Sequence, residues 1–414
     1  MRRVPKSEKG EKTWREIFQS AQDLFLHKGY HKTSVLSISK GARISPATFY
    51  QYFGSKDEIF EMILETFQGE FFNLLKSIFE SEMTLERKIE TLITRVFDTF
   101  WNFRSEYKVF REAEFIDNIL CLSFHQRIKT ILKENGFYSW NDEQLNAVFW
   151  FLFGPLFYLA GYWILWNERE VPVKTRENLY SFYMSGMCTQ DPETFKVSDK
   201  VYDTVEELDF NDEKIINRGE KSKKKLFNSA EYLFGKNGYY DTTIHEIASN
   251  AGLSVGSFYL YFSSKYEILS ELVKNTSKDL RYVMKVYLSR FNDRRNQEIA
   301  ALKGFLVFFG QHSKMYGVIR ECEFIDRKIT LDYYDSLKGP YMIALERAVK
   351  AGEVADYDVE ILSEILMGIG HILGQSLLIL PQGPVDDDKK YLEYLAYFMM
   401  LGFPGEKTKN RRAK

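Results

Sequence analysis

At 414 residues the chain is long enough for two or more domains with proper cores, and its 16% aromatic content with only nine prolines excludes a disordered or loop-rich polymer. The three cysteines, Cys121, Cys188 and Cys322, are odd in number and lack CxxC spacing, which excludes a disulfide frame or a zinc knuckle and suits a reducing compartment. A formal net charge of −2 decides nothing by itself, but it is unevenly spread: residues 1–56 carry +7, residues 217–265 carry +3 and the remainder totals −12. Basic stretches on an acidic body suit a protein that meets phosphates at two places.

In chain order, Met1-Arg2-Arg3-Val4-Pro5-Lys6 runs into charge without an apolar signal core. An amphipathic helix is expected over residues 11–28, ended by Gly29, and a second, short helix follows the cap Thr33-Ser34. After a turn, Ser45-Pro46-Ala47-Thr48-Phe49-Tyr50-Gln51-Tyr52-Phe53-Gly54-Ser55-Lys56 reads as another short helix followed at once by the start of a long one. Ser45 is an N-cap residue, Pro46 suits the first helical position, and Ser55-Lys56-Asp57-Glu58 spells a capping box. Phe49 and Phe53 lie one turn apart and face a core, while Tyr50 and Tyr52 point elsewhere. A short helix with small polar residues, two tyrosines and a flanking lysine has the make-up of a major-groove reader.

The rest of the first half is helical by apolar period, without strand-like alternation. Residues 147–166 contain no charge over twenty positions, a length that spans a bilayer. Gly154-Pro155 interrupts the run, and its counterpart at 361–380 holds Ser363, Glu364, His371 and Gln375. Both are therefore expected to be helices buried in protein, with a membrane span as the alternative. Residues 190–216 are acidic, include Asp191-Pro192 and read as a linker with a helical turn near 205–208. Beyond it come a helix over 220–237 ended by Gly238, a cap at Thr242-Thr243 completed by Glu246, and Ser254-Val255-Gly256-Ser257-Phe258-Tyr259-Leu260-Tyr261-Phe262-Ser263-Ser264-Lys265. The chain closes on a basic tail, residues 405–414.

Residues 21–60 align with 230–269 at a shift of 209 without gaps, and seventeen of the forty pairs are identical. The same shift pairs Val109-Phe110-Arg111-Glu112 with Val318-Ile319-Arg320-Glu321, so a whole domain is duplicated. The expected boundaries are 1–60 (first headpiece), 61–189 (first body), 190–216 (linker), 217–269 (second headpiece), 270–404 (second body) and 405–414 (tail).

The pattern of small residue, Thr/Ser, Phe, Tyr, any, Tyr, Phe, any, Ser, Lys, any, Glu, Ile, present in both copies, resembles the tetracycline-repressor (TetR/AcrR) family of bacterial transcription regulators. The resemblance is close over the two headpieces, about a quarter of the chain. It implies an all-α fold: two tandem units, each a three-helix helix-turn-helix headpiece on a helical body for ligand binding and dimerisation. Family members work as homodimers on palindromic operators and change grip when a small molecule enters the body. A chain holding two copies is expected to pair them with each other as an intramolecular pseudo-dimer, because fusion raises the effective concentration of each half near the other. The seam would use helices near 142–168 and 172–187 with 356–380 and 384–402. A homodimer of tandems is the alternative. A cytoplasmic, nucleoid-associated location in a bacterium follows from the resemblance.

Carried over by position, Tyr50, Tyr52 and Lys56 in one copy and Tyr259, Tyr261 and Lys265 in the other are expected to grip phosphates. Thr33 and Thr242, with the caps Ser34 and Thr243, add phosphate contacts at the start of the second helix. Ser45, Pro46, Ala47, Thr48 and Gln51 face bases in the first copy, with Arg43 beside them; Ser254, Val255, Gly256, Ser257 and Leu260 do so in the second. Gln51 can pair bidentately with adenine, and Leu260 cannot. Residues 30–56 carry +4 and residues 239–265 carry −1, so an asymmetric operator is expected, gripped harder by the first headpiece.

Treated as one helix, residues 109–120 place Glu112 inside their apolar arc, and Glu321 repeats this. Each carboxylate is expected either to pair with a neighbouring Arg or Lys, or to face an effector. Trp101, Phe110, Trp150 and Phe153 are candidates to line a first pocket, and Phe309, His312 and His371 a second. No enzyme motif survives inspection: Gly368-Ile369-Gly370-His371-Ile372-Leu373-Gly374 has the wrong spacing for a dinucleotide loop, and no nucleophile elbow, Walker loop or HExxH is present. No cofactor and no metal are expected. A degenerate second headpiece used for protein contacts is the alternative to two DNA readers.

Overall fold

The computed structural model describes residues 7–116, 118–136, 140–188, 196–205, 218–380 and 388–403. These residues fold as helices, with one isolated antiparallel bridge between Cys188 and Val354, so the class is all-α as the apolar periods imply. The first repeat forms α1 (Glu8–Lys28), α2 (Val35–Gly41), α3 (Pro46–Tyr52), α4 (Lys56–Phe79), α5 (Leu85–Asn102), α6 (Arg104–Ile116), α7 (Asn118–Glu134), α8 (Asp142–Ala160, continued by a π-helical turn Gly161–Trp166) and α9 (Val173–Ser185). A 3-10 turn, Asp199–Tyr202, lies in the expected linker. The second repeat forms α10 (Arg218–Asn237), α11 (Ile244–Asn250), α12 (Val255–Tyr259), α13 (Lys265–Leu288), α14 (Arg294–Gln311), α15 (Ser313–Ile325), α16 (Arg327–Lys350), α17 (Val359–Gly374, continued by a π-helical turn Gln375–Ile379) and α18 (Asp388–Leu401). The helical turn expected at 205–208 and the basic tail fall outside the described residues but for Val205, as does Asp117, where residues 109–120 were read as one helix.

By compactness the chain forms two units, Met1–Ser139 with Ala160–Pro172, and Trp140–Leu159 with Val173–Lys414. In the first, α4 supplies more of the core than any other helix: Ile63, Phe67, Phe71, Phe72 and Leu75 are buried along it. Their rings meet Phe100, Phe110 and Phe124, with centroids 5.5 Å (Phe67–Phe100), 5.2 Å (Phe67–Phe110) and 5.2 Å (Phe71–Phe124) apart. Such offset and tilted stacks add to the area the rings bury.

The second unit gathers α10–α18 together with α8 and α9 of the first repeat. Here α8 lies against α17 so closely that a methyl group on Gly154 would stand 2.7 Å from the Gly368 carbonyl oxygen, and one on Gly368 would stand 2.8 Å from the Gly154 carbonyl oxygen. Only glycine lets two helix backbones approach like this. The ends of α9 and α18 repeat the arrangement. Gly186 (φ +62°) would strike the Met400–Leu401 backbone with a side chain, and Gly402 (φ +66°) the Met184–Ser185 backbone. Backbone bonds close this corner: Met187 N–H to Met399 O (2.9 Å), Cys188 N–H to Met400 O (3.0 Å) and Phe403 N–H to Tyr183 O (2.7 Å).

The Gly154-Pro155 dipeptide does not break α8, which runs through it. Packing on both sides of a buried helix offsets the bond that proline removes. The helical stretches Asp142–Trp166 and Val359–Ile379 are long and apolar enough to cross a membrane, yet 78% of the most apolar window of each is buried inside the protein.

The caps form with one change. Ser45, Ser55, Ser254 and Ser264 accept backbone N–H groups of the turns they open, and Thr243–Glu246 makes the reciprocal capping box. Glu58 and Glu267 instead reach one residue further back, accepting Gly54 N–H (2.7 Å) and Ser263 N–H (2.6 Å) rather than the N-cap amide. In the first copy Ser34 closes its box with Ser37.

Candidate functional site

Each headpiece is a small core with the reader helix laid across it. Ile17, Ala21, Phe25, Ile38, Phe49 and Phe53 are buried in the first; Leu226, Ala230, Phe234, Ile247, Phe258 and Phe262 in the second. Ser20 and Ser229 on α1 and α10 donate to the Ile38 (2.9 Å) and Ile247 (2.7 Å) carbonyls, fixing how the first two helices cross. With Phe49 and Phe258 directed inward, the other face of each reader is left outside. Tyr50 is 51% exposed, Tyr259 56% and Leu260 80%; Pro46, Ala47, Gln51, Val255 and Gly256 are exposed, and Thr48, Ser257, Tyr52 and Tyr261 half-buried. Ser45 and Thr48 share a hydroxyl–hydroxyl hydrogen bond, as do Ser254 and Ser257, each 2.9 Å. Arg43, exposed in the turn between α2 and α3, has φ +56°, and its counterpart is Gly252 at +66°.

Four of the side chains expected at phosphates have partners within the headpiece itself. Thr33 and Thr242 are buried, with hydroxyls donating back to the Gly29 and Gly238 carbonyls, 2.8 Å each, so their side chains serve the loop; Ser34 and Thr243 remain exposed. Lys56 directs its ammonium to the Tyr30 (2.8 Å) and Thr33 (3.0 Å) carbonyls and sits 3.8 Å from the centre of the Tyr30 ring. Lys265 does the same with the Tyr239 and Thr242 carbonyls, both at 2.6 Å. The loop between the first two helices has unpaired carbonyls, and a long cationic side chain is well suited to supply them. Burial holds both ammonium groups below the usual lysine range.

That loop is gripped from its other side by the body. Both oxygens of Glu112 accept Tyr30 N–H (2.9 and 2.8 Å), and both oxygens of Glu321 accept Tyr239 N–H (3.0 and 3.1 Å). The principal hydrogen-bond partner of each carboxylate is therefore a loop amide rather than an Arg or Lys of a neighbouring helix. Burial raises both above the usual glutamate range, Glu321 to about 7, and the backbone N–H pulls part of this back. No sequence signal identifies a loop amide as the partner, because the contact joins residues 82 apart.

The other expected pocket residues scatter. Trp150 and Phe153 lie on α8 within the second unit, Trp150 with its ring 5.6 Å from Tyr391. Phe110 fills the first core beside Phe67 and Phe124, and Trp101 is half-buried under the Arg104 guanidinium at 5.1 Å. His312 meets Glu231 at 3.4 Å, and Phe309 packs behind Tyr316 at 4.8 Å. His371 does line a cavity, of about 590 Å³, in the second body. Its wall is mostly apolar (Leu280, Met284, Leu302, Phe305, Leu366, Met367), with Arg281 and Lys285 exposed at its edge. Inside, Arg294 and Glu298 form a buried ion pair at 2.5 Å to which the Tyr341 hydroxyl donates, and the Tyr334 hydroxyl meets His371 Nδ1 at 3.2 Å.

A family model described as bacterial regulatory proteins, tetR family, matches residues 17–63 and again 226–272, from within α1 or α10 to the first turns of α4 or α13. An uncharacterized HTH-type transcriptional regulator, YdgC of Bacillus subtilis, is 38% identical over 64 residues, covering 16% of this chain and 33% of the relative. The HTH-type transcriptional regulator HbdR of Aromatoleum is 30% identical over 102 residues, covering 24% of this chain and 40% of the relative. The chain thus spans about a third to two fifths of the length of these relatives. Among solved structures, the fatty acid degradation regulator FadR of Bacillus halodurans is 13% identical, covers 45% of this chain and 97% of its own, and superposes with a TM-score of 0.40. The same three-helix headpiece is thus built twice, and the pattern of the tetR family of bacterial regulatory proteins is matched in both copies.

Proposed function

We propose that this protein is a sequence-specific DNA-binding transcription regulator, acting as a repressor in the bacterial cytoplasm, whose two repeats pair within one chain to read an asymmetric operator. The observation that carries this reading is the reciprocity of the α8–α17 and α9–α18 contacts: Gly154 meets Gly368 as Gly368 meets Gly154, and Gly186 meets Leu401 as Gly402 meets Ser185. Contacts that repeat with the partners exchanged are the mark of a two-fold interface, here between unequal copies. Each repeat then brings one reader helix to one half-site, with centres ~34–36 Å or a further helical turn apart.

Asymmetry is supported by the reader surfaces. The first presents Gln51 on a headpiece whose Lys32, Lys40 and Arg43 are exposed; the second presents Val255 and Tyr259 on a helix that ends at Tyr259, with Leu260 exposed just past it. A small molecule entering the second body's cavity is the release signal, and α15, which lends Tyr316 to the cavity and Glu321 to the headpiece loop, is the element that carries it. Selection of bound duplexes from a random pool tests the reading. The expected product is a bipartite site with unequal arms. A perfect palindrome with equally protected arms contradicts asymmetry, and no enrichment contradicts DNA reading altogether.

A further inference from the structure

We propose that ligand reception is confined to the second repeat, and that its cavity takes an anionic amphiphile: an unbranched apolar chain inside, an acidic headgroup at Arg281 and Lys285. The proposal rests on the effector-responsive reading above. It starts from the register between the copies, since α4, α5, α6 and α7 begin 209 residues before α13, α14, α15 and α16. Positions can therefore be compared one by one. Phe67, Phe71 and Phe110 of the first body, stacked on one another and on Phe124, correspond to Thr276, Leu280 and Ile319 of the second. Three rings are missing from the second core, and Leu280 lines the cavity that stands on that side of α13. In the first body the position of Leu280 is filled by the ring of Phe71, stacked against Phe67 and Phe124.

The wall chemistry selects the ligand. Methionines at 284, 367 and 399 join leucines and aromatics, and unbranched thioether side chains adapt to a flexible chain. The polar groups within are engaged with one another, Arg294 with Glu298 and Tyr341, His371 with Tyr334, so a heavily hydroxylated ligand would find its own groups unmatched there. At the edge Phe72 of the first repeat is replaced by Arg281, which donates to the Ser277 (3.3 Å) and Ser336 (3.2 Å) carbonyls, and Lys285 stands one turn along. Neither cation has a carboxylate partner among the described residues, whereas the one carboxylate in the wall, Glu298, is neutralised by Arg294. A guanidinium and an ammonium side by side over an apolar chamber of about 590 Å³ match an acidic head on a hydrocarbon tail.

Calorimetric titration of the full chain, without DNA, tests this with dodecanoate, dodecyl phosphate, dodecan-1-ol and dodecylamine. The expected result is one equivalent of either anion per chain, with the alcohol at least tenfold weaker and no measurable uptake of the amine. The ratio of the two anions tells a carboxylate from a phosphate headgroup. Two equivalents per chain, or an alcohol bound as tightly as the anions, overturns the proposal. Leu280→Phe, which restores the first repeat's ring, should abolish uptake. The surface variant Arg281→Gln/Lys285→Gln should weaken the anions at least tenfold and leave the alcohol unchanged; an unaltered anion affinity in this variant overturns the headgroup assignment. If the anions bind as described but leave a protein–operator complex intact, the site stands and the release reading falls.

Discussion

Lys56 and Lys265 each direct their ammonium into their own headpiece, onto backbone carbonyls. Each holds the carbonyls of the loop that precedes the second helix, and so fixes that loop on the headpiece. Lys56→Met should weaken operator binding by loosening that loop, at a cost of about 1–3 kcal/mol for leaving carbonyls unpaired. The dependence of affinity on salt should keep its slope; a slope reduced by about one would instead make Lys56 a phosphate contact. Glu321 gives a second residue-scale prediction. Its carboxyl is raised from 4.5 to about 7 by burial, so the folded state keeps a proton that the unfolded state releases. Stability from this group is full below pH 4.5 and is lost as pH rises through 7. Glu321→Gln, neutral at every pH and still able to accept Tyr239 N–H, should flatten the fall in melting temperature across that window and exceed the parent at pH 8, by on the order of 2 kcal/mol. Parallel melting curves for parent and variant would contradict the assignment.

At the scale of elements, the readers and long helices were legible because caps and apolar spacing are local: Ser45, Pro46 and Phe49 state where α3 begins and which side it buries. What those residues do not state is which groups wait across a loop, so Thr33 reads equally well as a phosphate contact until its hydroxyl is found on the Gly29 carbonyl. Likewise Trp150 and Phe153 declare a buried helix but not the helix that buries it. The α8–α17 crossing gives a contrast that tests the packing directly. Gly154→Ala would place a methyl 2.7 Å from backbone oxygen and should destabilise the protein by about 1–3 kcal/mol, as overpacking does. Gly69→Ala, in mid-α4 with nothing within 4 Å, should stabilise it by roughly 0.5–1 kcal/mol through helix propensity. Equal effects from the two substitutions would mean that the close crossing does not exist. The hollow second core was not legible, since Leu280 and Phe71 occupy the same apolar position and period cannot tell a filled stripe from an empty one.

At the scale of the whole molecule, the two copies have diverged unevenly along their length. The headpieces retain seventeen of forty aligned residues, and the close glycine crossings retain their reciprocity, but the reader surfaces and cores have separated. A homodimer cannot do this, because one sequence must serve both half-sites. The account therefore stands or falls on stoichiometry. The most direct measurement is the mass of the complex formed on a selected operator, by light scattering or native mass spectrometry. The prediction is one chain of 48.8 kDa per duplex, engaged at both arms. Two chains per duplex, with mass rising to that value as protein is added and no stable complex at one, would contradict pairing within the chain.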